Sequence, residues 1–321
     1  MLSRIVKLLI SLCFYLGSGV RRIVLRLAGR IPPGSGVVLY YHHVAQMHRR
    51  RFARQMQHLL RHVQPVRADH RGSLAPGARV AAVTFDDGYL STLENAAPEL
   101  ERLRIPAAVF VVSDFLGQML ESDSTERCMT SDELRRLASD LLSIGSHTAQ
   151  HARMSAVDAT RGHDELKRSR RTLEQILGKD VTLFCFPFGA YSPEALGWCL
   201  QAGYERVFTC DPTMAFTAPD EFVIGRVAVE PTDWPLEFHL KLMGAYRWLP
   251  TAFALKSTIL QHLGAKPTSS GGSSPISPLH PNSSLPGPRA HSLTPLDAVE
   301  GSDFSTGEVP SVTRIQARKE S

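Results

Sequence analysis

The middle of this 321-residue chain is predicted to be a parallel α/β domain, on three observations. Segments of strand character alternate with segments of helical period from Val37 to Val229. Ala107–Val112 is a continuous apolar run, as expected of a parallel strand covered on both faces. Ala81–Phe85 reads as a buried strand that ends in adjacent acids, Asp86 and Asp87, before Gly88 turns the chain. Open and closed α/β sheets place their functional groups at the C-terminal ends of such strands.

The elements follow in order. Residues 1–30 hold six basic residues and no acid around an apolar run, Leu8–Val20. That run is short for a membrane span, which needs roughly 20 residues. No A-x-A cleavage pattern follows it. The expectation is an amphipathic helix in a membrane interface or a short uncleaved anchor; a soluble helix packed on the domain is the alternative. Ile31–Gly36 is a linker and Val37–Val44 the first strand. Arg51–His62 is a helix with Phe52, Met56, Leu59 and Leu60 on or near one face. Ser91–Leu103 is a helix that Pro98 kinks or interrupts. Gly117–Arg127 is a loop near the pocket mouth, and Thr130-x-x-Glu133 a capping box. Leu141–Ile144 is strand-like, and Ser155–Leu177 a charged helix stopped by Gly178. Pro193–Ala202 is a helix closed by Gly203, and Arg206–Cys210 and Val223–Val229 are the last strands. Trp234–Leu263 is either a helix covering the domain or a second membrane-contacting surface. From Ala265 onward Ser, Pro and Gly dominate and Phe304 is the only aromatic, a composition expected to be disordered. The organisation is therefore 1–30 membrane-associated helix or anchor, 37–264 domain and 265–321 tail.

The net charge of +5 is accounted for by residues 1–30, so the domain itself offers no basic face for nucleic acid. The five cysteines are odd in number and form no C-x-x-C, which excludes a disulfide framework and a zinc–thiolate site.

Three stretches carry candidate chemistry. Neighbouring residues at a strand end point different ways, so Asp86 and Asp87 can divide their labour, one holding a metal and the other moving a proton; an ordinary acidic turn is the plainer reading. In Ser146–His151, SHTAQH, two histidines stand four apart, and one helical turn would put both imidazoles on the same side. Two imidazoles and one carboxylate, with positions left for water, make a catalytic rather than a structural metal site. Leu183–Tyr191, LFCFPFGAY, is an aromatic run ending in a Pro-x-Gly loop, suited to stacking a sugar ring or simply to packing a strand and turn.

TFDDG, then SHxxxH, then a PxG loop, together with Tyr41-His42-His43-Val44 in the first strand, resembles the polysaccharide deacetylases, carbohydrate esterase family 4, the NodB-homology domain. The resemblance covers roughly Val37 to Val229. It implies a distorted (β/α) barrel and metal-dependent removal of acetyl groups from N-acetylated sugars. It assigns Asp86 as the catalytic base, Asp87, His147 and His151 as metal ligands, and the Phe188 backbone N–H as an oxyanion donor. Phe186, Pro187 and Tyr191 become the substrate-binding residues. The divalent metal is zinc first, with cobalt and nickel also suited. The implied partners are a carbohydrate and a membrane surface, with no nucleic acid, in the cell envelope of a bacterium.

The chain departs from the family pattern twice. An Arg that orients the base is replaced by Cys185, as in the branch resembling biofilm poly-N-acetylglucosamine deacetylases, and no convincing match to the late Leu-x-His is found. His239 lies in a helix-like stretch, which leaves the general acid unassigned. Arg226 either approaches the pocket in place of the missing Arg or makes a surface or interdomain ion pair. Two other functions are consistent with these residues: a barrel that binds carbohydrate without turnover, and a metal phosphoesterase. The second is disfavoured by the lack of a Gly-rich phosphate cradle and of a second ligand cluster.

Overall fold

The structure, a computed structural model, describes residues 2–120 and 126–252. The expectations for 265–321 and for the end of the Trp234–Leu263 segment lie outside the described residues. Among the described residues nine parallel strands build one sheet: β1 (Ser35–Tyr41), β2 (Gln64–Pro65), β3 (Arg79–Phe85), β4 (Ala107–Val111), β5 (Leu142–Ser146), β6 (Leu183–Cys185), β7 (Arg206–Phe208), β8 (Val223–Ile224) and β9 (Val227–Ala228). The order is β8-β7-β6-β5-β4-β3-β1-β9, with β2 beside the start of β3. Closure is made by one interrupted strand. β8 pairs with β7, β9 pairs with β1, and Gly225-Arg226 lie between them. The result is the distorted (β/α) barrel expected, with the last predicted strand broken where it changes partner.

Strand parity divides the apolar residues into two cores. Val38, Val80, Ala82, Ala108, Phe110, Leu183, Cys185, Phe208 and Ile224 fill the barrel interior. Leu39, Ala81, Val83, Phe85, Val109, Phe184 and Phe186 belong to the outer core. The helices supply that layer's other half. They are α2 (Arg49–His62), α3 (Ala97–Leu103), α4 (Ser131–Leu137), α5 (Ala159–Leu177), α6 (Pro193–Gln201) and α7 (Pro235–Leu242), preceded by α1 (Leu2–Leu27). α2 buries Phe52, Gln55, Met56 and Leu59 on one stripe. Pro98 sits in the first turn of α3, after a π-helical stretch at Thr92–Ala96, so the predicted break is real and lies just before the proline. α4 carries the predicted capping box, and α5 starts at the Asp158 cap rather than at Ser155. α7 buries Phe238, Leu240 and Leu242, so this segment covers the barrel. All five cysteines are free.

α1 has an inverted distribution of polarity. Arg4 bonds Glu237, Trp248 donates from Nε1 to Ser11 Oγ at 2.9 Å, and Tyr15 meets His239. These polar contacts face the barrel, along with partly buried Leu8 and Leu12. Leu2, Val6, Leu9, Leu16, Val20, Ile23, Val24 and Leu27 stand exposed. The helix is long and apolar enough to cross a membrane by length and composition, a test that signal sequences also pass.

Candidate metal and proton-transfer site

The parity of β3 aims its terminal acid. Val80 and Ala82 face the barrel interior, and the next inward positions are Thr84 and Asp86. Asp86 is therefore buried at the end of the barrel axis, its amide bonded to the Tyr41 carbonyl at 2.9 Å. Arg226, released into the interior by the gap between β8 and β9, is fully buried and meets it. Its Nη1 and Nη2 donate to Asp86 Oδ1 and Oδ2 at 2.7 and 2.8 Å, a bidentate pair. The remaining donors reach Thr84 Oγ1 at 3.0 Å, the Thr209 carbonyl at 3.1 Å and Cys185 Sγ at 2.8 Å. Tyr40 stacks on the guanidinium, its ring centroid 4.5 Å away. Burial by itself would raise the pKa of Asp86, but the charge and hydrogen bonds of Arg226 outweigh it and hold the carboxyl at about 2. Burial likewise opposes the charge of Arg226, and the adjacent carboxylate reverses that and raises its pKa. Both partners are ionised at neutral pH.

Arg226 thus occupies the space that the missing Arg at position 185 leaves. Cys185 is small enough to admit it. Burial pushes the Cys185 thiol well above its usual range despite Arg226, so it remains a thiol and a poor metal ligand. The interdomain or surface pairing considered for Arg226 is overturned by its complete burial.

Asp87 turns away from the axis, in the left-handed backbone region at φ 69°. Gly88 follows at φ 75°, where a Cβ would also stand 3.2 Å from Val111 Cγ2, so glycine is needed for the turn. Asp87 Oδ1 lies 3.6 Å from His147 Nε2 and 3.4 Å from His151 Nε2. One donor atom from each of the three falls within 4.8 Å of the others. The helical turn expected for His147 and His151 is absent. His147 continues directly from β5, and Thr148 and His151 take left-handed φ of 65° and 57°, so a compact loop brings the rings together at 5.2 Å. Sequence reading missed the residue that supports this loop. Glu165 of α5, buried, accepts from the Ala149 and Gln150 amides at 3.0 and 2.8 Å.

The donor set fits a divalent transition metal. Burial lowers His147 to about 4 and His151 to about 3, so both imidazoles are neutral at pH 7. Between His147 Nδ1 and the Cys185 carbonyl there is a 2.8 Å hydrogen bond in which the ring N–H donates. That bond fixes the tautomer and leaves Nε2 with a lone pair toward Asp87.

The third motif forms the neighbouring wall. Phe188 has φ 59° and is 44 % exposed, its ring 4.6 Å from that of His151 and under the Arg153 guanidinium. Of the residues expected to face a sugar, Phe186 does not. Parity puts it in the outer core, fully buried and stacked on Tyr191 at 4.8 Å. Pro187 is buried too, and Tyr191 keeps part of its surface. His42, exposed at the end of β1, stands near Asp86, His147 and His151.

A parallel barrel with a buried Asp–Arg pair beside an Asp–His–His trio at its C-terminal end has the make-up of a barrel hydrolase whose trio could hold a metal. Residues 74–207 match the polysaccharide deacetylase family. A putative polysaccharide deacetylase of Bacillus subtilis, YxkH, is 24% identical over 156 residues, 49% of this chain and 53% of the relative. The chain thus spans about half the length of the curated relative it matches. Among solved structures, IcaB from Ammonifex degensii superposes with a TM-score of 0.55 at 24% identity, over 66% of this chain and 98% of that one. The Streptococcus pyogenes deacetylase PplD, in complex with acetate, gives 0.54 at 18%, over 65% and 99%. A de-N-acetylase from Aggregatibacter actinomycetemcomitans gives 0.54 at 17%, over 64% and 99%. At these identities the structures support the fold.

Proposed function

We propose that this protein is a metal-dependent carbohydrate N-deacetylase acting on an N-acetylhexosamine-containing polymer or lipid-linked glycan at a membrane surface of the bacterial cell envelope. The observation that carries the reading is the division of the two adjacent acids. One is ion-paired on the barrel axis and the other is turned toward two neutral imidazoles.

Asp87, His147 and His151 would hold the metal, zinc first by its preference for two nitrogens and one oxygen. When bound, it polarises the acetyl carbonyl and lowers the pKa of the attacking water. Asp86 accepts that water's proton. Its contacts with Arg226 use one lone pair of each carboxylate oxygen, and the Cys185 thiol lies 4.0 Å from Oδ2 as a further donor, so Oδ1 is the oxygen that keeps a second lone pair. Arg226 keeps the base ionised and aimed. The Phe188 amide is the candidate donor to the developing oxyanion. Tyr191 and the exposed Phe188 ring offer the apolar surface for a sugar. The general acid is unassigned by motif; His42, exposed at the end of β1, is our candidate to protonate the leaving amine, and return of the proton from Asp86 is the second route.

A metal phosphoesterase gains no support, because the other histidine group, His58, His62 and His239, lies on α2 and α7 rather than beside the Asp87 trio. Membrane association is favoured by the exposed apolar face of α1, which a soluble helix would bury. The deciding experiment is acetate release from N-acetylglucosamine oligomers by the metal-loaded protein, with and without chelator. Chelator-sensitive release is expected. Saccharide binding without release would make the barrel a binding module, and phosphomonoester hydrolysis in its place would restore the phosphatase.

A further inference from the structure

α2, α7 and α1 meet away from the Asp86 site, toward the N-terminal ends of the strands. His62 there lines a cavity of ≈ 620 Å³ with Gln64, Pro65 and Arg79, the residues that open β2 and β3. His58 and His62 stand one turn apart on α2, their rings stacked at 4.2 Å. His239 of α7 faces both, with ring centroids 5.2 Å from His58 and 4.9 Å from His62. His58 Nε2 and His239 Nδ1 are 3.0 Å apart. One nitrogen from each of the three falls within 4.8 Å of the others. Nitrogens bound to one tetrahedral zinc would stand about 3.3 Å apart, given Zn–N bonds of 2.0–2.1 Å. His62 is exposed at the end of its helix, so a small ring movement closes the difference.

The outer nitrogens are arranged as metal-bound histidines require. His62 Nδ1 lies 2.9 Å from the His58 carbonyl, where it donates and leaves Nε2 as the free donor atom. His239 Nε2 lies 3.3 Å from the Tyr15 hydroxyl, a group to which it can donate, and that tautomer leaves Nδ1 as the free atom facing His58. Burial lowers His58 to about 4, and lowers His239, so these two rings are neutral at pH 7. The cations nearby are Arg61 and Arg79.

We propose that His58, His62 and His239 form a second site for a divalent transition metal, zinc or an ion of similar preference. It would staple α2 to α7 and, through Tyr15, hold α1 against the barrel. Three imidazoles with a fourth position open to water make a complete zinc set.

The test uses the full chain with Asp87→Ala and His151→Ala, which disables the other trio, and zinc as the probe. One equivalent of zinc is expected to remain, and saturating zinc to raise the melting temperature. Adding His62→Ala or His239→Gln should weaken that zinc by at least the roughly 10–100-fold that even an outer partner is worth. Tyr15→Phe should weaken it less. Cobalt in place of zinc should show a tetrahedral visible spectrum that His62→Ala abolishes. If the background variant does not fold, the same loss is read in the otherwise unaltered chain, where His62→Ala should remove one zinc and leave acetate release intact. Zinc affinity unchanged by both His62→Ala and His239→Gln, or no zinc bound in the folded Asp87→Ala/His151→Ala protein, would overturn the proposal.

Discussion

His-x-x-x-His occurs twice in this chain, at His58–His62 and at His147–His151, and the two copies fold differently. On α2 the spacing is one regular helical turn, and the rings stack at 4.2 Å on a half-exposed surface. After β5 the same spacing spans a loop with two left-handed residues, and the rings converge at 5.2 Å in a buried pocket. The helical pair is held by its own backbone. The loop pair is held from outside, by Glu165 beneath two of its amides and by Cys185 on His147. Equal spacing thus gives a site whose geometry is local in one case and imposed by the barrel in the other.

The most severe way to test the imposed site is to remove one of its acids. Asp87→Ala should lose bound metal and acetate release together. Asp86→Asn keeps its shape and should retain metal while turnover falls roughly 10²–10⁴-fold. Metal analysis beside rate on each variant checks this, and equal metal loss in both would end the division of labour.

Next in size is the pair beneath the site. Arg226→Met leaves a buried carboxylate without its partner and should cost about 3–5 kcal/mol in denaturant unfolding. Asp86→Asn/Arg226→Met should recover part of that loss. The pH dependence follows from the sign. The folded pKa of Asp86, about 2, lies below its ordinary value of 3.8, so the unfolded state binds the proton more readily. The stabilisation is complete above the ordinary value and is lost as pH falls toward 2. Arg226→Met should remove that acid-side slope, and a slope preserved in the variant would place the effect elsewhere.

Glu165→Gln tests whether the loop is held from outside. It exchanges a charged acceptor for a neutral one and should cost about 1–2 kcal/mol. Zinc affinity at His147 and His151 should fall with it, while zinc at the α2 cluster stays unchanged.

The smallest effect separates the two copies by backbone alone, in metal-free protein. At position 58, inside α2, glycine should be less stable than alanine by about 1 kcal/mol, the helix-interior difference. At position 151, with φ 57°, the order should reverse, because alanine carries the left-handed penalty and glycine does not. The same order at both positions would mean that the two turns are alike.

Periodicity is a property of neighbours along the chain, and wherever neighbours decide the structure the sequence was enough. The alternation of strands and helices, the capping box at Thr130, the break near Pro98 and the acids at the end of β3 were all readable. So were the family motifs, because each is a short local run. What the sequence alone could not decide were contacts between residues far apart in it. Arg226 reaches Asp86 across 140 positions, because the barrel closes through a strand that is interrupted at that residue. Phe186 leaves the pocket because the parity of β6, set by pairing with β5 and β7, turns it outward. His239 meets His58 and His62 because α7 packs on α2. In each case the side chain's own neighbours carry no signal. Its direction is set by hydrogen-bonded register and helix packing, which exist only once the barrel has closed.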